Sequence, residues 1–412
     1  MRTAGALAFL GALALAANAA AHEFDFGDWK IDFSPQLREV LQRSRTVRMD
    51  DALEVDSDGL PPTSPSLLSR TRLRLDVQAR YGERWSGQLA YDEELFAGSG
   101  QKSVQFQLAE QSRPEPWLRM DNTISDGGSM TWRNRLYRGW VRYATHDLEL
   151  AVGRQRIALG RAQLWNPSDL FNPIPPLAIE GDERIGVDSV VARARVHGEL
   201  WGTLIVAPQS RDDEYRSALR VEVSQRSLDA ALMLARVNTD TVYGGDFATN
   251  LGDAALRGEA VWFLHEHGGH DTQLVGSLDY TFGIGTGLYA LVEHFYNTVN
   301  VSRQEFAALT RASLEQGRLP ELPNVPAAQL ITTSRNQTGT MLGYDLTPLL
   351  RLNVVWLHDW EGPSEAFFPT LTWSATSALD LQIGVQLFGG RDGEGDYGGQ
   401  DPVFFFRGDL FF

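Results

Sequence analysis

The chain has 412 residues, of which 43% are hydrophobic and 22% charged, and its formal net charge at pH 7 is -16. It contains no cysteine, which excludes a disulfide scaffold, a thiolate-ligated zinc site and a cysteine-linked lipid anchor. The surplus of acidic residues argues against a nucleic-acid partner, and the length allows two or three soluble domains or one large sheet.

The N-terminal residues predict a secretory signal peptide. Arg2 precedes an apolar run from Ala4 to Ala17, and small residues follow as far as Ala21. The run is shorter than the roughly 20 apolar residues that a membrane-spanning helix needs. We therefore expect residues 1–21 to be removed on export and residues 22–412 to form one domain outside the cytoplasm.

Alternating polarity predicts β-strands through most of the remaining chain. Between Arg70 and Tyr81 the odd positions are largely apolar and the even positions largely charged, so one strand face is apolar and the other is polar. The same pattern returns many times, for example at 274–282 and 379–387. Segments of about ten residues with alternating faces, separated by turns, are typical of a transmembrane antiparallel β-barrel.

Link lengths give the strand count, because periplasmic turns are short in such barrels and outer loops are longer. The link 237–253 is too long for a turn, so we place a strand near Thr241–Thr249 despite Gly244 and Gly245. Long outer loops are predicted at residues 96–133, 158–186 and 298–337.

A periplasmic N-terminus requires one more strand before Arg70, either Phe24–Phe33 or the adjoining stretch to Arg43. The total is then eighteen strands, with sixteen as the alternative. Eighteen strands enclose an aqueous channel. The sequence therefore predicts an all-β, single-domain barrel with a pore.

Many arginines fall on the polar face of the predicted strands. Only two of the 37 basic residues are lysine. A guanidinium group suits carboxylate and phosphate, so an arginine-lined wall favours anionic solutes. The alternative is a ladder of cross-strand salt bridges with lumen acids such as Glu259, which stiffens the wall and selects nothing. The predicted pore-lining arginines are Arg70, Arg72, Arg74, Arg138, Arg142, Arg193, Arg195, Arg220, Arg257 and Arg351.

Two further arginines conflict with the alternation. Arg154 and Arg156 share a face with Leu150 and Val152, which is the lipid side. Either they clear the bilayer at the outer rim, or a bulge turns them inward.

The segment from Trp165 to Pro176 is neither a strand nor an ordinary solvated loop, because it combines four prolines with two aromatic residues. One interpretation is a loop that folds inward and sets the pore size, with Trp165, Asp169 and Phe171 as constriction residues. The other is a packed external loop over the barrel mouth.

A histidine-rich stretch offers a candidate metal site. His265, His267 and His270 lie in one predicted outer loop, and imidazole groups suit zinc or copper. The alternative is a solvated loop that binds nothing. The sequence predicts no cofactor, and without a GxSxG or HExxH motif it favours transport over catalysis.

The last strand carries the most specific signal. Phe404, Phe406, Leu410 and Phe412 lie on one alternating face that ends the chain on an aromatic residue. This resembles the C-terminal signature of Gram-negative outer-membrane barrels. The resemblance implies that the barrel-assembly machinery recognises Phe412.

As a whole, the sequence resembles the eighteen-stranded substrate-specific and alginate-export porins. The resemblance implies an outer-membrane protein that contacts lipid and lipopolysaccharide and allows passive diffusion of small hydrophilic, acidic solutes. Gly153–Arg156 and Trp165–Pro176 are similar to a motif of uncharacterised proteobacterial outer-membrane proteins. The alternatives are an export conduit or partner of an inner-membrane transporter, and a hydrolase at the barrel rim. The solute and the oligomeric state stay open.

Overall fold

The computed structural model describes residues 22–52, 62–111, 116–126, 130–184, 186–209, 215–298, 332, 334–391 and 394–412. Twenty antiparallel strands of one sheet dominate these ranges, beside one short helix, α1 (Val104–Gln111). Within the same ranges, no helix combines the length and the apolar character needed to cross a bilayer. The strands are β1 (His22–Phe26), β2 (Trp29–Val47), β3 (Thr63–Tyr81), β4 (Trp85–Ala97), β5 (Asn122–Asp126), β6 (Met130–Ala144), β7 (Leu148–Gln155), β8 (Val187–His197), β9 (Leu200–Pro208), β10 (Tyr215–Ser224), β11 (Leu228–Val237), β12 (Asp240–Leu251), β13 (Ala254–Leu264), β14 (His270–Phe282), β15 (Leu288–Asn297), β16 (Asn336–Thr347), β17 (Leu350–Asp359), β18 (Ser364–Thr376), β19 (Leu379–Gly390) and β20 (Val403–Phe411).

Eighteen of these strands form a closed antiparallel circuit, so the predicted transmembrane barrel and its strand count are confirmed. Strand β4 pairs directly with β6, and β20 pairs with β2, which closes the barrel. The two remaining strands lie outside the circuit, since β1 pairs with β2 and β5 pairs with β6.

The first barrel strand comes from the second of the two predicted stretches. Strand β2 pairs with β3 along its whole length and with β20 from Gln36 to Arg43. Strand β1 pairs with the start of β2, from Trp29 to Phe33. It therefore lies on the same edge of β2 as β20, which pairs with the residues that follow.

The additional strand in the long link is also confirmed, as β12. It follows β11 through a two-residue turn in which Asn238 has φ 54°, a conformation that asparagine tolerates better than most residues. Gly244 faces Met233 on β11, and a Cβ at this glycine would press into the methionine side chain. The glycines that weakened the strand prediction therefore make room for a large neighbour.

The outer surface is apolar because alternate residues of each strand face away from the lumen. On β11, Leu232 is 73% exposed while its neighbour Met233 is 4% exposed. Leu89, Val152 and Val190 are also exposed on other strands. An exposed apolar band of this kind matches the hydrocarbon core of a membrane.

The inner wall is polar on some strands and apolar on others. An apolar cluster on β8 to β13 includes Ile205, Met233 and Phe263, and a second one includes Leu291 and Phe295 on β15. Both clusters contain residues of the link between β7 and β8, which therefore packs inside the barrel.

Candidate functional site

The link between β7 and β8 runs through the barrel interior over its described residues, 156–184 and 186, and we call these residues the inward loop. Trp165, Leu170 and Phe171 are at most 2% exposed. The Trp165 ring stacks on Phe295 of β15 with 5.6 Å between ring centroids. Of the two placements considered for this segment, the structure has the inward one. Phe171 packs in the first apolar cluster of the wall, and Trp165 both stacks on Phe295 and lines a cavity of about 330 Å³ beside the loop.

Two wall carboxylates hold the first half of the inward loop by its main chain. Glu293 on β15 accepts hydrogen bonds from the N–H groups of Trp165 at 2.7 Å and of Leu164 and Gln163 at 3.0 Å. Glu259 on β13 accepts three more. Those donors are the N–H groups of Arg161, Ala162 and Ser168.

The alternation of apolar and polar residues along the strands identifies one of these two wall carboxylates as facing the lumen and misses the other. Glu259 lies on the predicted lumen face of β13. Each face of β15 is largely apolar, with Glu293 and Asn297 on one face and His294 on the other, so the alternation does not show which side is inside. The available signal is the carboxylate itself, because an ionised group inside an apolar barrel wall needs donors.

Asp169 closes the inward loop on itself. Its carboxylate binds the Arg184 guanidinium and accepts a hydrogen bond from the Asn172 N–H at 3.1 Å. Burial raises the pKa of Asp169 to about 6, against the lowering effect of Arg184. Asp169 therefore binds other residues of the inward loop and is not open to solute.

The second half of the inward loop meets the opposite wall through charge. We call Glu180, Asp182 and Glu183 the acidic segment. They contact five arginines of β2, β3 and β20, which we call the arginine cluster. Its members are Arg38, Arg70, Arg72, Arg74 and Arg407.

Glu183 lies at the centre of these contacts. Its carboxylate is 2.7 Å from Arg72 Nη2, 2.9 Å from Arg38 Nη1 and 3.0 Å from Arg74 Nη2. Burial alone would raise the pKa of Glu183, but Arg72, Arg74 and Arg38 outweigh it and lower the pKa to about 2. The contribution of this carboxylate to stability is thus present above its ordinary pKa and is lost only as the pH falls toward 2.

Asp182 and Glu180 complete the contact. Asp182 Oδ1 and Oδ2 accept hydrogen bonds from Arg407 at 2.8 and 2.7 Å, and Oδ2 also accepts one from Arg38 at 3.0 Å. Glu180 forms ion pairs with Arg70, Arg72 and Arg38. Sequence reasoning missed the acidic segment, although an acidic run in an inward loop facing a row of arginines was a usable signal.

The remaining predicted arginines are engaged with partners on the wall, in the turns or in the inward loop. Arg220 is buried against Asp246, with bonds of 2.5 and 2.9 Å. Arg138 is buried and donates to the main-chain oxygens of Tyr137 and Arg184. The others form the pairs Arg142–Glu149, Arg193–Glu222, Arg195–Asp147, Arg257–Asp279 and Arg351–Asp345.

A bulge in β6 adds inward arginines that strict parity does not place. Ala90 pairs with Arg138 and Tyr91 with Leu136, so Tyr137 is the extra residue. In the part of β6 that precedes this bulge, the odd-numbered residues face inward. There, Arg133 and Arg135 bind the fully buried Glu94 at 2.7 and 3.1 Å.

Arg154 is buried rather than exposed at the outer rim. The alternation breaks at Gly153, which has φ 121°, and Arg154 is only 2% exposed. Its guanidinium binds Asp188 at 2.9 Å, and the main chain of Leu118 contacts both partners. The charge is therefore neutralised and covered rather than raised above the bilayer, whereas Arg156 is exposed.

Open space remains between the inward loop and the wall formed by β16 to β20. This cavity has a volume of about 510 Å³. Asp182 and Gly181 line it on the loop side, and Asn353, Thr372 and Gln382 are among its lining residues on the wall. A second cavity of about 230 Å³ reaches Arg70 from the side of residues 100–106.

The described structure does not bring the three histidines together as a set of metal ligands. His265 lies between Asp240 and Asp271, with ring nitrogens 3.0 and 2.7 Å from their carboxylates. His267 and His270 are exposed. Within the part of the chain that the structure describes, no group of three or more His, Asp or Glu residues could hold a metal ion. The hydrogen bonds to the two aspartates raise the pKa of His265, although burial alone would lower it.

No protein family model matches the chain, and no curated protein matches it. The fold, in contrast, matches several solved structures over nearly their whole length. OccAB1 of Acinetobacter baumannii is 11% identical with a TM-score of 0.56, and the match covers 93% of this chain and 96% of that one.

Two further solved structures agree with this. OccK7 of Pseudomonas aeruginosa is 10% identical, with a TM-score of 0.53 and coverage of 94% and 99%. A BenF-like porin from Pseudomonas fluorescens is 9% identical, with a TM-score of 0.53 and coverage of 93% and 99%. At these identities the likeness concerns the fold, and this chain has the barrel fold of eighteen-stranded outer-membrane porins.

Proposed function

We propose that the protein is an outer-membrane channel for the passive diffusion of small hydrophilic solutes, with a preference for anions. The observation that carries this proposal is the closed eighteen-stranded barrel with a charged inner wall and open space beside its inward loop. An apolar exterior around a polar, partly open interior is the arrangement of a porin.

The barrel exterior fits a bilayer at its interfaces as well as along its apolar band. At the end with the short turns, Trp29 packs against Tyr81 and Trp85 against Tyr143 with tilted rings, each pair with 4.9 Å between ring centroids. Exposed aromatic rings at this level form the girdle that anchors membrane barrels at the headgroups. Lipid and lipopolysaccharide are therefore the proposed surroundings.

The anion preference rests on arginines that keep part of their side chain exposed inside the barrel. The Arg142, Arg193 and Arg351 side chains are 42%, 37% and 48% exposed. Each is paired with a carboxylate, so the wall also contains negative charge. We therefore expect a moderate selectivity rather than exclusion of cations.

Two proposals concern the chain ends. We propose that residues 1–21 are a signal peptide, because Arg2 precedes an apolar run from Ala4 to Ala17 that is followed by small residues. We also propose that the assembly machinery binds the end of β20. Phe412 donates its N–H to the Pro35 oxygen at 3.1 Å and so lies at the seam that closes the barrel.

We favour transport over catalysis. The solved structures with this fold include a BenF-like porin. An export conduit and a rim hydrolase stay as the alternatives.

Planar-bilayer recording of the purified protein in potassium chloride tests the channel. We expect stepwise conductance and a reversal potential that shows moderate anion selectivity. Neutralising the exposed Arg193 with Arg193→Gln should shift the reversal potential toward cations, whereas Arg80→Gln, at the end of β3 beside the turn, should change it less. Absence of any conductance would overturn the proposed function, and cation selectivity would overturn the preference for anions.

A further inference from the structure

Arg43 on β2 is an exposed arginine on the outside of the barrel. Arg38, on the same strand, points inward to Asp409, so the alternation places Arg43 on the opposite, lipid-facing side. Its neighbours on the adjacent strands, Phe404 of β20 and Leu67 of β3, are 53% and 52% exposed. The guanidinium group of Arg43 therefore emerges between two apolar side chains on the outer surface.

The described residues supply no anion for this charge. Within the described ranges, the Arg43 side chain forms neither an ion pair nor a hydrogen bond. The nearest outward carboxylate on β2 is Glu39, four residues away or about 13 Å along the strand. Glu39 accepts hydrogen bonds from the hydroxyl groups of Ser69 and Thr71 instead. A cation between apolar side chains is stabilised by an anion, which here must come from outside these residues.

The position of Arg43 along β2 corresponds to the outer headgroup layer. Trp29 belongs to the aromatic girdle at the end with the short turns. From residue 29 to residue 43 the strand rises by about 35 Å, at roughly 3.3 Å per residue and a tilt of roughly 40°, whereas the apolar band of such barrels is about 25 Å tall. Arg43 therefore lies beyond the outer edge of the apolar band, at the level of lipid headgroups.

Arg45 adds a second cation on the same face, about 7 Å further along β2. Its side chain is 50% exposed, and its ion pair with Asp401 is long, at 3.8 Å. It donates to the main-chain oxygen of Thr63 at 2.7 Å and to the hydroxyl group of Thr63 at 3.2 Å. Because a guanidinium group has five N–H donors, Arg45 keeps donors for a further ligand. We call Arg43 and Arg45 the outer arginine pair.

An apolar surface lies on the membrane side of the outer arginine pair. Leu41 of β2 pairs with Phe406 of β20, and these side chains are 39% and 37% exposed. Phe404 lies beside them on the same face of β20. Cations at headgroup level above exposed apolar side chains match a lipid that has an anionic headgroup and acyl chains.

We propose that the outer arginine pair binds a phosphate group of one lipopolysaccharide molecule, whose acyl chains lie on Leu41, Phe404 and Phe406. The outer leaflet of the outer membrane contains lipopolysaccharide, and its lipid A anchor carries phosphates on a sugar headgroup. A guanidinium fork matches phosphate oxygens in a bidentate way, which an ordinary contact with lipid does not require. The site is on the barrel exterior and goes beyond the proposed channel function, since it does not depend on conduction through the lumen.

Native mass spectrometry of the purified, delipidated barrel with added lipid A tests the site. We expect Arg43→Gln with Arg45→Gln to weaken binding of the first lipid A molecule about tenfold, because two charge-assisted contacts are lost. The control is Arg335→Gln with Arg391→Gln, which neutralises two exposed arginines elsewhere at the outer end. This control should bind lipid A like the parent. Unchanged binding by the first variant, or an equal loss in the control, would overturn the proposal.

Three further ligands identify the chemistry that the site recognises. Lipid A without its phosphates and phosphatidylglycerol should both bind the parent protein more weakly than lipid A does, and inorganic phosphate should not displace bound lipid A. Equal binding of the dephosphorylated lipid would refute phosphate recognition. Equal binding of phosphatidylglycerol, or displacement by inorganic phosphate, would refute lipopolysaccharide as the occupant.

A spin-label measurement of depth tests the geometry without reference to affinity. The chain has no cysteine, so Arg43→Cys and Leu232→Cys each give a single labelling site. In lipid vesicles we expect the label at 43 in the headgroup layer and the label at 232, which is 73% exposed in the middle of β11, in the hydrocarbon core. Heat-dependent electrophoretic mobility shows first that each variant is a folded barrel. A label at 43 in the hydrocarbon core or in bulk water would overturn the proposal.

Discussion

At the scale of single residues, the interior depends on two carboxylates that bind main chain rather than side chains. Glu293 is fully buried and accepts three N–H groups of the inward loop. Glu259 does the same on the neighbouring part of the loop. A loop inside a barrel has unsatisfied main-chain donors, so each carboxylate supplies acceptors that a strand would otherwise provide.

We expect Glu293→Gln to loosen the first half of the inward loop. The amide replaces one acceptor oxygen by a donor, which leaves a buried N–H unsatisfied at a cost of about 1–3 kcal/mol. Hydrogen exchange of the amides at 163–165 should become about tenfold faster or more. Mass spectrometry of a peptide that contains them measures this.

Glu222→Gln is the control for that experiment. Glu222 also faces the lumen, but its carboxylate binds Arg193 on the wall. If both variants change exchange at 163–165 equally, the anchoring role of Glu293 is wrong.

At the scale of elements, period-two alternation sets the strands, and local breaks change where particular charges lie. The bulge at Tyr137 brings Arg133 and Arg135 to the inner face, and the glycine at 153 precedes the buried Arg154. The alternation can be recognised in a single sequence because each strand has one face toward lipid. It does not show a bulge, because the extra residue depends on the partner strand.

Strand β11 offers a test of the lipid face. Leu232 is 73% exposed in the middle of the strand, and Leu228 is 41% exposed at its turn end. We expect Leu232→Arg to lower the free energy of unfolding by about 2–4 kcal/mol and Leu228→Arg by about 1 kcal/mol or less, because the cost of a charge depends on its depth. Urea titration in lipid vesicles measures both.

The order of these two effects is the decisive result. Equal losses at both positions would show that the β11 exterior does not span the hydrocarbon core at the depth that the structure implies.

At the scale of the whole molecule, closure joins the two ends of the chain. Strand β20 pairs with β2 over eight residues, and Phe412 adds one hydrogen bond beyond them. Closure removes the free strand edges that would otherwise promote aggregation. The inward loop then links distant parts of this closed wall, from β13 and β15 to β2, β3 and β20.

We expect deletion of Phe412 to reduce the amount of assembled barrel several-fold, since the proposed recognition signal and the last seam contact are both lost. Phe412→Trp keeps an aromatic end and the main-chain donor, so it should assemble nearly as well. The fraction with heat-dependent electrophoretic mobility in outer-membrane preparations measures assembly. An undiminished fraction after deletion would contradict the role given to Phe412.

The sequence by itself determined the barrel, its eighteen strands and the polar strand face that carries many of the arginines, because lipid on one side and water on the other impose alternation on every strand. It even located β12, since a missing strand breaks the order of turns and loops. Which carboxylates bind those arginines was decided only by the tertiary structure. Glu180 and Glu183 lie more than a hundred residues from Arg72 in the chain, and a loop without periodic structure brings them together. Such contacts depend on the path of that loop through the closed barrel, which no local pattern of residues records.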